Sequence, residues 1–126
     1  MTLLRHLLSD DRWLPHRRGV LLGIWIVLAI LTHIPVPQSA PQIRNLDKLI
    51  HLLIYFPLGL LLPTCRVRGC QSGWVCVLVI ALYGIIDELW QIPVGRTASV
   101  LDWLADLAGA SLGCLVVIRL SQTSGQ

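Results

Sequence analysis

Four apolar runs alternate with polar punctuation along the chain. The first, GVLLGIWIVLAILTHI (residues 19–34), closes at Pro35-Val36-Pro37. The second, LIHLLIYFPLGLLLP (residues 49–63), starts after Asp47-Lys48 and stops before Arg66. The third, WVCVLVIALYGII (residues 74–86), follows RVRGCQSG and runs into Asp87-Glu88. The fourth, LDWLADLAGASLGCLVVI (residues 101–118), ends at Arg119. With its flanks, each approaches the about 20 residues that cross a bilayer as a helix. The second and third are short, which calls for local thinning of the bilayer or for ends that snorkel. Pro57 is expected to kink the second span, with Gly59 easing close approach.

Composition supports the same picture. Hydrophobic residues make up 55% of the 126 residues and charged ones only 13%, against about a quarter in soluble domains. A small domain has too much surface to stay in water with so few charges, and the mean hydropathy is +0.70. The expectation is an all-α polytopic membrane protein, four transmembrane helices in a bundle. A basic N-terminal segment (residues 1–18) precedes one membrane domain (residues 19–120), and a polar, frayed tail (residues 121–126) follows it. The N-terminal segment up to Arg18 reads as a short interfacial helix with Leu3, Leu4, Leu7, Leu8 and Trp13 on its apolar side. The first run reads as a retained span, because no small-x-small cleavage site follows it; Ala40 is followed by Pro41.

Charge sets the orientation. Arg5, Arg12, Arg17 and Arg18 precede the first span, Arg66 and Arg68 separate the second from the third, and Arg119 follows the fourth. Four crossings put these segments on one side, which the positive-inside rule makes the cytoplasm. Both termini are therefore expected in the cytosol. The four cysteines, Cys65, Cys70, Cys76 and Cys114, show no Cys-x-x-Cys and no finger-like His spacing, and read as small reduced fillers. His33 reads as an interfacial residue, and most of the five Trp as an aromatic belt.

The acids break this apolar pattern. Asp47, Asp87, Glu88, Asp102 and Asp106 all lie at or near the outer ends of spans two to four. Asp47, His51 and Tyr55 share one helical stripe, and Asp102 and Asp106 share another. Glu88 and Gln91 lie three apart at the end of span three, and Arg96 follows in the connection IPVGRTAS. Ser99 or Thr97 is placed to cap span four. An ionised carboxylate at mid-span costs about 2.5–3.5 kcal/mol, so Asp106, one turn inside, must face other helices, a partner or water. Its stripe continues through Gly109 and Gly113, a small-residue face that lets a helix of the same chain or of a second copy come close.

In order and spacing, Asp47-Lys48-x-x-His51-x-x-x-Tyr55, Glu88-x-x-Gln91, Gly95-Arg96, Asp102 and the Gly109/Gly113 pair resemble the VanZ-like family of small multi-helix bacterial membrane proteins. Asp106 stands where that pattern typically has Asn, which adds a potential negative charge. The resemblance implies a place in the bacterial cytoplasmic membrane, a role at the cell envelope and low-level resistance to the glycopeptide teicoplanin.

Three roles for the polar residues stay open. The first is a structural network that holds short helices in register. The second is a site for a lipid-linked or cell-wall-related anionic headgroup. Arg44, Lys48 and Arg96 would bind its phosphate or carboxylate, with Tyr55 and Trp90 or Trp103 along the wall. The third is a membrane-embedded hydrolase or transferase on an envelope lipid, with His51, Glu88 and Asp102 as the catalytic candidates. Asp47, Lys48, Tyr55, Gln91, Arg96 and Asp106 are the binding candidates, with Asp87 beside them. Asp47, His51, Glu88, Asp102 and Asp106 also offer ligands for a divalent cation, and the sequence leaves the metal question and any cofactor open. Membrane lipid is the expected partner, a second copy a further one; nucleic acid is excluded by basic residues that are few and tied to the membrane.

Overall fold

A computed structural model describes residues 2–35, 46–70 and 72–122. Five helices make up these segments: α1 (Thr2–Ser9), α2 (Leu14–Thr32), α3 (Leu46–Leu61), α4 (Gly73–Gln91) and α5 (Val100–Gln122). Single 3-10 turns extend three of them, at Asp11–Trp13 before α2, Leu62–Cys65 after α3 and Ile92–Val94 after α4. With these turns, four of the helices are long and apolar enough to cross a membrane. Arg44, Ala40 and the tail from residue 123 onward lie outside the described residues.

The helices run past the apolar runs where their polar residues face inward. Helix α4 continues beyond Ile86 to Gln91 because Asp87, Glu88 and Gln91 all turn into the bundle. Helix α2 starts at Leu14, inside the basic segment, so the single interfacial helix expected up to Arg18 is not what forms. Asp10 breaks it: its side chain accepts the Arg12 N–H at 2.9 Å and starts the 3-10 turn. Arg17 is then 5% exposed, and its Nη1 donates to the carbonyls of Leu7 at 2.9 Å and Asp10 at 3.0 Å. The Leu7 carbonyl belongs to the last turn of α1, where carbonyls lack intrahelical partners. The Asp10 carbonyl, which also accepts the Trp13 N–H at 3.1 Å, opens the 3-10 turn, so Arg17 joins α1 to α2.

Helices α3 and α5 form the tightest seam. A Cβ on Gly59 would run into the Ala110 carbonyl, one on Gly109 into the Leu52 carbonyl, and one on Gly113 into the Phe56 carbonyl. The small-residue face of α5 is therefore spent inside the chain, with backbone against backbone. Helix α4 joins α5 through Gly84, which faces the side chains of Trp103 and Asp106, and through Trp103 Nε1, which donates to the Ala81 carbonyl at 2.9 Å. Helix α2 leans on α4 through an edge-on contact of Trp25 with Tyr83. Between the helices, Tyr55, Leu58, Leu62 and Ile80 are fully enclosed, as are Cys65 and Cys76. Large apolar side chains such as Leu22, Ile26, Leu53, Leu78, Leu82 and Leu112 point outward, a surface suited to lipid tails rather than water.

The bundle has two unlike ends. At one, the α3–α4 connection meets the start of α2: Arg18 Nε donates to the Cys65 carbonyl at 3.0 Å, and Arg66 pairs with Asp11 at 2.8 Å. Arg66 itself sits in the left-handed region, at φ 51°. All four cysteines are buried there as free thiols, with Cys76 Sγ donating to the Cys70 carbonyl and Cys114 Sγ to the Gly59 carbonyl. The other end collects the acids.

Candidate functional site

Three helix ends build the polar cluster. On α3, the spacing of Asp47, His51 and Tyr55 puts them on one stripe. Entering the bundle, that stripe goes from an Asp47 side chain 51% exposed to a His51 that is buried and a Tyr55 fully enclosed. The last turn of α4 supplies Asp87, Glu88 and Gln91, all buried. Helix α5 supplies Asp102 near the mouth and Asp106, with no exposed surface, one turn deeper. Ser99 caps α5: its Oγ accepts the Asp102 N–H at 3.3 Å, and its own backbone N–H donates to Glu88 Oε2 at 2.6 Å.

His51 is the centre. Its Nδ1 lies 2.9 Å from Asp106 Oδ1 and 3.9 Å from Glu88 Oε1. His51, Glu88 and Asp106 each bring one donor atom into a group whose members all lie within 4.8 Å of one another. Glu88 Oε1, Asp106 Oδ2 and Gln91 Nε2 are buried without a hydrogen-bond partner. Leaving a buried polar atom unpaired costs about 1–3 kcal/mol, and more when it is charged. Three such atoms at one helix junction therefore mark a place not optimised for stability alone.

Around this centre the remaining groups divide. Lys48 Nζ bridges Asp102 Oδ1 at 2.9 Å and Asp47 Oδ2 at 3.0 Å, so Asp102 and Asp47 form a rim pair with lysine rather than contacts to the imidazole. Tyr55 donates to Asp87 Oδ2 at 3.4 Å. Tyr55 and Asp87 join His51 and Arg96 in lining a cleft of about 210 Å³, with Thr32 and Ile50 on its walls. The Arg96 backbone N–H is held by the Gln91 carbonyl at 3.2 Å, while its half-buried side chain makes no ion pair among the described residues. Neither Trp90 nor Trp103 lines the cleft. Trp90 is exposed and stacks edge-on with His33 at 5.2 Å between ring centres, and Trp103 is bound to the Ala81 carbonyl.

Two participants escape the sequence reading. Thr32 comes from α2, the span without acids; its place as the one hydroxyl near the end of the first run is the signal that points to it. The Ser99 backbone N–H that holds Glu88 has no side-chain signal at all, because any residue carries that group.

In chemical terms, the cluster joins a hydrogen-bonded imidazole–carboxylate pair, a second carboxylate within reach, and a guanidinium on an open wall. It offers one face for a cation and another for an anion. No curated protein and no solved structure matches the chain. The family model described as VanZ/LLP1 matches residues 20–121, from the second turn of α2 to the last turn of α5. The match spans every helix of the site, and this multi-pass membrane chain belongs to the VanZ/LLP1 family.

Proposed function

We propose that this protein works at the bacterial cell envelope by binding the anionic headgroup of a lipid-linked or cell-wall-related molecule in the Arg96 cleft. It sits in the cytoplasmic membrane with both termini in the cytosol, as the distribution of Arg supports, and the cleft opens on the outer side. Low-level teicoplanin resistance follows from this reading: a protein that holds an envelope lipid alters how a glycopeptide reaches its target.

The observation that carries the reading is the position of Arg96. A guanidinium with no carboxylate partner among the described residues, on the wall of a largely apolar cleft, suits a phosphate or carboxylate taken in two-pronged fashion. The cleft also shares Leu28, Leu31 and Ile54 with a groove of about 480 Å³ between α2 and α3, whose further lining, Val20, Val27, Leu53 and Pro57, is apolar. A charged pocket continuous with a greasy channel matches an amphiphile with a long chain better than a free ion.

The test compares three probes on the detergent-purified protein: a polyprenyl phosphate, the uncharged polyprenol and inorganic phosphate. The phosphate ester binds tightest, and Arg96→Ala weakens it about tenfold or more, the equivalent of one charge-assisted hydrogen bond. Folded yield holds, and cells carrying the variant become more susceptible to teicoplanin. Equal binding of the ester by the variant and the parent protein sinks the proposal.

A further inference from the structure

We infer that His51, Glu88 and Asp106 form a binding site for one divalent transition-metal ion. Geometry is the first ground. Zinc and similar ions hold nitrogen and oxygen ligands at about 2.0–2.2 Å, which sets neighbouring donors about 3.0–3.5 Å apart. The spacings from His51 Nδ1, 2.9 Å to Asp106 Oδ1 and 3.9 Å to Glu88 Oε1, bracket that range. All three donor atoms lie within 4.8 Å of one another, so rotation of the two carboxylate side chains brings them onto one ion.

The second ground is the unfilled valence of the cluster. Glu88 Oε1 has no partner although the residue is 5% exposed, and Asp106 Oδ2 has none at 0%. The Glu88 oxygen is the one aimed at the imidazole. Its sister, Oε2, is already fixed by the Ser99 N–H, which sets the angle of the carboxylate as an outer hydrogen bond does for a metal ligand.

Charge is the third. Two carboxylates lie on one imidazole inside a membrane bundle. The chain's single lysine, Lys48, is committed to Asp102 and Asp47, and Arg96 pairs with neither. An ion carrying two positive charges balances the pair, displacing the proton that His51 Nδ1 and Asp106 otherwise share. One imidazole with two carboxylates is a donor set of intermediate hardness, suited to Zn²⁺, Mn²⁺ or Fe²⁺ rather than to Ca²⁺ or a soft ion. His51 also lines the cleft, so an ion at Nδ1 lies beside the space assigned above to the headgroup. The ion is measured without any lipid, so the two ideas stand or fall separately.

The experiment strips full-length protein in detergent with a chelator, then adds Zn²⁺ or Mn²⁺ alone and removes the excess. Metal is counted per chain and the thermal midpoint is read with and without it. About one ion per chain is expected, together with a raised midpoint. Glu88→Gln and Asp106→Asn lower the affinity about tenfold or more, while Asp11→Asn, at the opposite end of the bundle, leaves it unchanged. X-ray absorption on the loaded parent protein finds nitrogen and oxygen neighbours at about 2.0–2.2 Å, which decides the matter even where a variant fails to fold. No ion retained, an ion held equally by folded Glu88→Gln and Asp106→Asn, or sulfur neighbours at about 2.3 Å (the buried thiols instead) would each overturn the inference.

Discussion

The two ends of the bundle solve the same problem differently. At the Arg66 end, polar groups meet backbone acceptors: Arg17 takes the carbonyls of Leu7 and Asp10, Arg18 takes the Cys65 carbonyl, and the thiols of Cys76 and Cys114 take carbonyls of their neighbours. Among the described residues, Arg17 Nε and Trp25 Nε1 are left over in that half of the bundle. At the Asp47 end, carboxylates face an imidazole and each other, and three side-chain atoms stay unpaired on Glu88, Gln91 and Asp106. Backbone acceptors at fixed positions are a cheap way to bury a donor, whereas gathering acids is not. The first end is built for cohesion. The second keeps polar groups unsatisfied, a cost that cohesion alone does not account for.

Substitution of the seam that both ends share has the largest effect. Gly113→Val puts a branched side chain against the Phe56 carbonyl and the Leu60 amide, where even one Cβ has no room. Helices α3 and α5 must separate, at a cost of about 3 kcal/mol. Folded yield and thermal midpoint in detergent both fall, and binding at the Asp47 end falls with them because Asp106 leaves His51. A Gly113→Val protein with the parent's midpoint would mean that the α3–α5 contact is not what holds the two ends together.

Arg17→Met comes next. It removes two charge-assisted hydrogen bonds to the half-buried carbonyls of Leu7 and Asp10, worth about 2 kcal/mol. Because the loss is confined to the Arg66 end, the midpoint drops while ligand and metal affinity at the Asp47 end do not. Limited proteolysis gives the local reading: α1 is released and cutting near Asp10–Trp13 quickens. If affinity falls in proportion to stability, the ends are not independent and the contrast between them dissolves.

The sequence exposes this architecture unevenly. Apolar runs long enough to span give all four crossings, since hydropathy in a helix depends only on local residues. The Gly109/Gly113 face and the inward turn of Asp106 are also visible, because helical periodicity alone places them on one stripe. Partners across helices are not. That Lys48 belongs to Asp102, and that the imidazole takes Asp106, depends on the depth at which α3 meets α5, which is set by the glycine seam, and the reach of Glu88 depends on how α4 packs on α5 at Gly84. Arg17 shows the opposite failure. It looks like one more member of a basic cluster, yet three-dimensional packing makes it a buried connector between α1 and α2.

The smallest change in stability is the most informative. Glu88→Gln keeps size and shape, and its amide oxygen still accepts the Ser99 N–H now held by Oε2. The new NH₂ takes the place of Oε1, 3.9 Å from His51 Nδ1, and adds a donor to a cluster in which Asp106 Oδ2 has no partner. One buried negative charge is lost, and donors enter a junction that holds an unpaired acceptor. In metal-free protein, stability therefore stays within about 1 kcal/mol of the parent and moves upward if at all. A structural carboxylate behaves otherwise: breaking a buried ionic pair costs about 3–5 kcal/mol. Thermal unfolding of chelator-treated Glu88→Gln separates the two. An unchanged or raised midpoint keeps the Asp47 end in the class of sites. A fall as large as that of Gly113→Val would make Glu88 a strut, and the two ends of the bundle would then differ in composition but not in purpose.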